Sequence, residues 1–242
     1  AEGCELECGL YDEEGNLASL VSIPVTDSTI SLCQTVNNPH LWWPNGHGLP
    51  TRYTVRLRLL RDDQEQAVHE QKCGFRRVEL VLDPDAHESP YPASQIHVPI
   101  TVCINGKRLF AKGSNWVCPT VFPGTLHRET YQAQLELVRD ANMNMVRCWG
   151  GAIVNKDDFF DLCDEYGLML WQEFPLACNK YPDDPTYLAV LEQESVAIIK
   201  QVRSHPCLTI WCGGNELYNS WSRMTNQSKA LRLLNRNCFN LD

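Results

Sequence analysis

Between Leu109 and Asn237 the chain passes four times from a short apolar run to an amphipathic stretch, and each apolar run stops at glycine or polar residues. Leu109–Trp116 reads as a strand, followed by a helix over Arg128–Asn142 with Leu135 and Val138 at helical spacing. Met145–Trp149 is the next strand, ended by Gly150-Gly151. Lys156–Tyr166 is a helix with Phe159, Cys163 and Tyr166 on one face, stopped by Gly167. A third strand over Leu168–Phe174 leads to a helix over Tyr187–Arg203, and a fourth strand over Leu208–Cys212 to a helix over Ser228–Asn237. This alternation requires consecutive parallel βα units, because a parallel neighbour is reached only through a crossover. Four units are half of the eight that close a barrel, so the pattern allows a small doubly wound sheet or half of a (β/α)8 enzyme.

The first part of the chain has a different rhythm. Cys4, Leu6, Cys8 and Leu10 alternate with Glu5 and Glu7 before the turn Asp12-Glu-Glu-Gly-Asn16, and Val55, Leu57 and Leu59 alternate with Arg56 and Arg58 before Arg61-Asp-Asp63. Period-two alternation between turn signals indicates an antiparallel sandwich with one solvated face. The segment 83–92, rich in Pro and Asp, reads as a linker, which places the boundary between two domains at 1–95 and 96–242.

Charge and cysteine usage narrow the partners. A formal net charge of -9 without a basic cluster excludes nucleic acid and anionic membrane surfaces, and no run approaches the roughly 20 apolar residues that cross a bilayer. The twelve cysteines do not pair into a framework. Cys148, Cys163 and Cys212 fall on apolar faces, so most are expected to be reduced thiols, buried at those three positions, which favours a cytoplasmic location. No Cys-x-x-Cys or His-x-x-x-His occurs, and no metal or cofactor is expected.

The chemistry concentrates at Leu208-Thr-Ile-Trp-Cys-Gly-Gly-Asn-Glu216, where a buried strand ends in two glycines and an Asn-Glu pair. A carboxylate just past a strand's C-terminal end sits where barrels keep their catalytic groups, so Glu216 is the candidate acid, with Trp211 and its apolar neighbours expected around it. Glu173 ends the neighbouring strand and offers a second carboxylate. Trp149 and Trp171 end adjacent strands, where an aromatic face can stack on a ligand ring or pack in the core. Arg147 could contact ligand or hold Glu216 or Glu173, the structural role being preferred. Asn115 closes the first strand and is placed at the pocket's lining.

Leu41-Trp-Trp-Pro-Asn-Gly-His-Gly48, Gly74-Phe-Arg76, Ile104-Asn-Gly-Lys107, Lys112-Gly-Ser-Asn-Trp116, Arg147-Cys-Trp-Gly-Gly151, Trp171-Gln-Glu-Phe174, His205-Pro206 and Trp211-Cys-Gly-Gly-Asn-Glu216 form an ordered set. It resembles glycoside hydrolase family 2, in its β-mannosidase-like branch. The resemblance implies an immunoglobulin-like β-sandwich followed by the first four βα units of a (β/α)8 TIM barrel. It implies a retaining exo-acting β-glycosidase acting on terminal β-linked sugars, β-mannoside first, in which Glu216 is the general acid/base. Asn215 would bond the sugar 2-hydroxyl, Glu173 would bond substrate or a neighbour, and the nucleophilic Glu would lie beyond residue 242.

Other readings are quieter. Trp42-Trp43-Pro44 is expected to pack against the sheet or the next domain, Trp211 to sit in the core, His205 to make a loop hydrogen bond, and Arg76-Arg77 to be solvated strand charge. A non-catalytic carbohydrate-binding or scaffolding module is the rival class. The same enzyme class acting on β-glucosaminide, β-galactoside or β-glucuronide is the rival specificity. The 242 residues alone are expected to be inactive and either to curl into a flattened open sheet or to pair edge to edge as a homodimer, since a half-barrel leaves two strands unpaired.

Overall fold

A computed structural model describes residues 3–82, 100–179 and 181–217. β1 (Cys4–Tyr11), β2 (Leu17–Pro24), β3 (Tyr53–Arg61) and β4 (Gln64–Cys73) form an antiparallel sheet in the order β2-β1-β3-β4. The expected turns are in place. The Asp12 carboxylate accepts the backbone N–H groups of Glu14 and Asn16 at 3.0 and 2.8 Å, and Asp62 and Asp63 take φ of 50° and 60°, the left-handed pair that a two-residue hairpin requires. Cys4, Cys8 and Leu10 bury one face of β1, whereas β4 is exposed along almost its whole length.

β5 (Val78–Leu82), β6 (Ile100–Ile104) and β7 (Lys107–Leu109) make a second antiparallel sheet in that order. Residue 95, the expected boundary, lies outside the described residues, and the strands on either side of it pair with each other. The expected strand Leu109–Trp116 is in fact two: β7 ends at Leu109 and β8 (Gly113–Trp116) belongs to another sheet. Asn144 holds the break open, accepting from Lys112 N–H at 2.8 Å and donating to Phe110 O at 3.1 Å. A side chain of this kind, more than thirty residues away, leaves no local signal in the run itself.

β8, β9 (Met145–Cys148), β10 (Met169–Glu173) and β11 (Leu208–Cys212) form one parallel sheet in the order β11-β10-β9-β8, connected through α1 (Arg128–Asp140), α2 (Asp157–Tyr166) and α3 (Pro185–Val202). The helix ends follow their residues. Asp184 caps α3 by accepting from Thr186 and Tyr187 N–H ahead of Pro185 at the first turn, and Gly167 closes α2 at φ 68°. Tyr131 and Leu135 of α1, Phe159, Phe160, Leu162 and Cys163 of α2, and Leu168 and Leu170 fill one core with Trp116 and Cys148. β8 and β11 are the edges of this sheet among the described residues. The expected helix over Ser228–Asn237 lies outside them.

The two parts are joined through the resemblance segments. Trp42 is fully buried with its indole N–H donating to Asp164 O at 2.9 Å, and Asn45 Nδ2 donates to Arg139 O and Met143 O, both at 2.9 Å. Packing against the neighbouring domain is therefore what Trp42-Trp43-Pro44 does. The reading of Arg76 as solvated charge is wrong: its guanidinium reaches across to donate to Pro206 O at 2.7 Å and Leu208 O at 2.6 Å, at the start of β11. Only Arg77 is exposed. The carbonyls that Arg76 satisfies are some 130 residues away in sequence, so its charge alone could not show them.

At the same end of β11, His205 Nδ1 lies 2.6 Å from Asp164 Oδ2, while Asp164 Oδ1 accepts Cys207 N–H at 2.9 Å. Burial pulls His205 down, but the hydrogen bond and charge of Asp164, with Asp161 and Asp157 adding, outweigh it, and its pKa stands above the ordinary 6.5. A raised folded value means that the pair stabilises fully below about pH 6.5 and that this contribution is lost as pH rises through the raised value. Urea midpoints should therefore fall from pH 6 to pH 9, and the fall should flatten in Asp164→Asn. Parallel profiles for the two proteins would contradict it.

The eleven cysteines among the described residues are free, and Cys148 and Cys163 are buried as expected, whereas Cys212 is only half-buried. No helix of the described residues is long and apolar enough to cross a membrane.

Candidate active site

Register builds the site. Parallel pairing places Asn115 of β8, Arg147 of β9 and Trp171 of β10 side by side, and Glu173, two residues beyond Trp171, shares their face. The alternate positions point the other way: Trp116 packs on Tyr131 and Phe159 from the helices. One side of the sheet is thus apolar and helix-covered, and the other carries the polar groups at its C-terminal end.

Arg147 is the hub of that face. Its Nε and Nη2 donate to Glu173 Oε1 at 3.0 and 2.7 Å, its Nη1 to Asn115 Oδ1 at 3.0 Å, and its Nη2 to Asn215 Oδ1 at 2.6 Å. The guanidinium also lies over the Trp171 ring, 5.5 Å from its centroid. Of the two carboxylates expected within its reach, Arg147 bonds Glu173.

Glu173 has a side chain only 1% exposed. Its second oxygen, Oε2, accepts Gly150 N–H at 2.7 Å. That contact explains the glycine: a Cβ at residue 150 would lie 2.6 Å from Phe174 O and 2.7 Å from Leu176 O, so only glycine brings its N–H this close. Both oxygens of Glu173 are engaged, and the buried side chain is held at both ends.

Asn215 and Glu216 arrive from β11 through Gly213-Gly214. Gly214 has φ of 144°, and a Cβ there would stand 2.6 Å from Leu176 O. The approach lets Asn215 N–H donate to Leu176 O at 2.9 Å while Cys178 N–H donates to Asn215 O at 3.0 Å, stitching the ends of β10 and β11 together. Because Arg147 can only donate, it takes Asn215 Oδ1 and fixes the amide so that Nδ2 is turned away from it, toward Cys178 Sγ 3.0 Å away. Glu216 has φ of 50° and is exposed. The apolar surround expected from Trp211 is absent, since Trp211 stacks instead on Phe174 with centroids 5.4 Å apart and packs into the core.

All seven expected residues therefore lie at the C-terminal end of one sheet, and five of them, Asn115, Arg147, Trp171, Glu173 and Asn215, meet around a single guanidinium. Trp149 is half-buried and folds back over Gly151, where a Cβ would fall 2.0 Å from its ring. Sequence reasoning missed Gly150 and Cys178. Cys178 is exposed, with its Sγ 3.4 Å from Glu216 Oε2 and 3.0 Å from Asn215 Nδ2. Its spacing from the Asn-Glu pair, 38 residues, carries no pattern. Beside the cluster a hollow of about 580 Å³ is lined by Val117, Val121, Gly150, Ile153, Ala177 and Tyr181 among others.

Burial, then the charge of Glu173, pushes the Cys148 thiol up, and burial raises Cys212 as well, so neither is a thiolate nucleophile. The one His/Cys/Asp group among the described residues close enough to share an ion is Asp164, His205 and Cys207, at the opposite end of the sheet. Both oxygens of Asp164 are already bonded there, which is a hydrogen-bond network rather than a metal centre.

Comparison with known proteins places the chain in a family. Residues 4–76 match Glycosyl hydrolases family 2, and residues 99–236 match Glycosyl hydrolases family 2, TIM barrel domain. Beta-mannosidase B of Aspergillus fumigatus is 32% identical over 217 residues, which are 89% of this chain and 25% of that protein. Beta-mannosidase of Capra hircus is 37% identical over 175 residues, 72% of this chain and 19% of that one. The crystal structure of Beta-D-Mannosidase from Dictyoglomus thermophilum superposes with a TM-score of 0.85 at 30% identity, covering 99% of this chain and 30% of that chain. A Bacteroides uniformis beta-glucuronidase shares the fold at a TM-score of 0.74 and 19% identity, over 97% of this chain and 28% of that one. The chain spans about a quarter or less of the length of these curated relatives.

Proposed function

The chain belongs to glycosyl hydrolases family 2, and on that premise we propose that it carries the acid/base half of a retaining β-glycosidase site acting on terminal, non-reducing β-mannosides. The observation that carries this is the Asn215-Glu216 pair at the end of β11, with Asn215 locked by Arg147 at 2.6 Å. Retaining hydrolysis needs one carboxyl to protonate the leaving oxygen and a second, about 5 to 5.5 Å away, to attack the anomeric carbon. Glu216 is exposed at the mouth and takes the first role. Glu173 is unsuited to the second because both its oxygens are held, so the nucleophile is a carboxylate of the whole protein outside these residues.

The division of labour follows from the donors. Asn215 Nδ2 has two N–H groups, one on Cys178 Sγ and one left to offer the sugar 2-hydroxyl, an interaction that strengthens as charge develops at the anomeric carbon. Glu173 and Asn115 hold Arg147 in place to keep that amide turned. The largely apolar hollow beside Gly150 suits the C–H face of a sugar or an apolar leaving group. The mannoside is favoured by the names of the relatives at 32% and 37% identity, and the free thiols favour a reducing compartment such as the cytoplasm.

The test is turnover by the full-length protein of a panel of aryl β-glycosides, with the first-formed anomer read by proton NMR. The β-mannoside should exceed the β-glucoside, β-galactoside and β-glucuronide by at least about tenfold in kcat/KM, a difference of about 1.4 kcal/mol in transition-state binding, and should release the β-anomer first. Release of the α-anomer, or preference for another sugar, would overturn the mechanism or the specificity respectively.

A further inference from the structure

Cys178, in the loop after β10, has no role in the reading above, yet three contacts tie it to the Asn215-Glu216 pair. Its N–H donates to Asn215 O at 3.0 Å, its Sγ accepts from Asn215 Nδ2 at 3.0 Å, and its thiol donates to Glu216 Oε2 at 3.4 Å. It also sits at φ 47°, a conformation that a non-glycine residue keeps only where its surroundings hold it. The direction of these bonds is not free. Arg147 can only donate, so Asn215 Oδ1 faces it and Nδ2 faces the sulfur. The sulfur's lone pair is then taken by Nδ2, and its proton is left to point at Glu216.

We propose that Cys178 is a positioning residue for the general acid/base, the last donor in a relay that runs Arg147, Asn215, Cys178, Glu216. The thiol proton occupies Oε2, so the proton that Glu216 delivers to the leaving oxygen is carried on Oε1, and the carboxyl is kept from rotating. No bond to sulfur is made or broken in the cycle. The relay also couples the two carboxylates of the site, since Glu173 is held by the same guanidinium that orients Asn215. The proposal rests on the reading of Glu216 as the acid/base.

Cys178→Ala and Cys178→Ser both keep a Cβ and therefore the same left-handed backbone demand, so neither changes strain at this position. The full-length protein is assayed on an alkyl β-mannoside, which needs its leaving group protonated, and on a dinitrophenyl β-mannoside, which does not. Cys178→Ala should lower kcat on the alkyl substrate by about fivefold to tenfold, the worth of one hydrogen bond, with KM changed less than about twofold. The dinitrophenyl substrate should be nearly unaffected. Cys178→Ser, which keeps both donor and acceptor, should recover most of the loss. Equal losses on both substrates, no loss, or a serine variant no better than alanine would each overturn the proposal. Glu216→Gln on the same two substrates separates the failures. If its loss is also independent of leaving group, the acid assignment itself falls and the relay with it. If its loss is selective and that of Cys178→Ala is not, only the relay falls.

Discussion

Arg147→Met should destabilise the protein by about 3 kcal/mol and lower kcat/KM by at least about 100-fold, losses of separate origin. The stability loss comes from Glu173. Its carboxylate is almost fully buried, with the N–H of Gly150 on Oε2 at 2.7 Å and Arg147 as its cation, so removing the guanidinium leaves a buried charge without its counter-charge. The activity loss comes from Asn215, whose amide is oriented by the 2.6 Å bond to Nη2 and would be free to turn. The double variant Arg147→Met/Glu173→Gln separates the two. Removing the charge together with its partner should recover more than half of the stability while activity stays low, because the Asn215 carbonyl oxygen has then lost the guanidinium that oriented it. Denaturant unfolding of the single and double variants measures this directly. Additive stability losses would show that Arg147 and Glu173 do not act as a pair.

Much of this site is legible in the sequence, because its parts stand at the ends of strands whose limits are written in local residues. Leu208–Cys212 is bounded as expected, since an apolar run followed by Gly213-Gly214 leaves no other stopping point. α2 ends at Gly167 because a left-handed residue is needed there. Once four parallel strands are placed in order, the residues that close them, Asn115, Arg147, Glu173 and Asn215, must converge at one end. What could not be read depends on reach across the chain. Arg76 and Arg77 are adjacent and alike in sequence, yet one finds two backbone carbonyls at the start of β11 and the other finds solvent. Glu173 is legible only as a second carboxylate, because the groups on its two oxygens, Arg147 and Gly150, come from another strand and the turn after it. Trp171 was expected to offer a sugar its face, and Arg147 lies over that ring. Cys178 was one thiol among twelve.

The second large effect concerns Glu216. General acid catalysis contributes about 10²- to 10⁴-fold, and its share grows with the basicity of the leaving group. Glu216→Ala in the full-length protein should therefore cost an alkyl β-mannoside about 1000-fold in kcat/KM and a dinitrophenyl β-mannoside less than about tenfold, since dinitrophenolate departs without a proton. The same carboxylate serves as base in the second step, so the variant should accumulate its glycosyl-enzyme on the activated substrate. A small anion such as azide, which needs no base, should then restore turnover by attacking the anomeric carbon, displacing the enzyme's carboxylate and yielding the β-glycosyl azide.

The most direct measurement of the central claim is the slope of log kcat/KM against leaving-group pKa for wild type and Glu216→Ala, followed by azide addition to the variant. The account predicts a much steeper slope in the variant and a β-configured azide product. A slope unchanged from wild type, with no azide product, would place the acid/base elsewhere and contradict it.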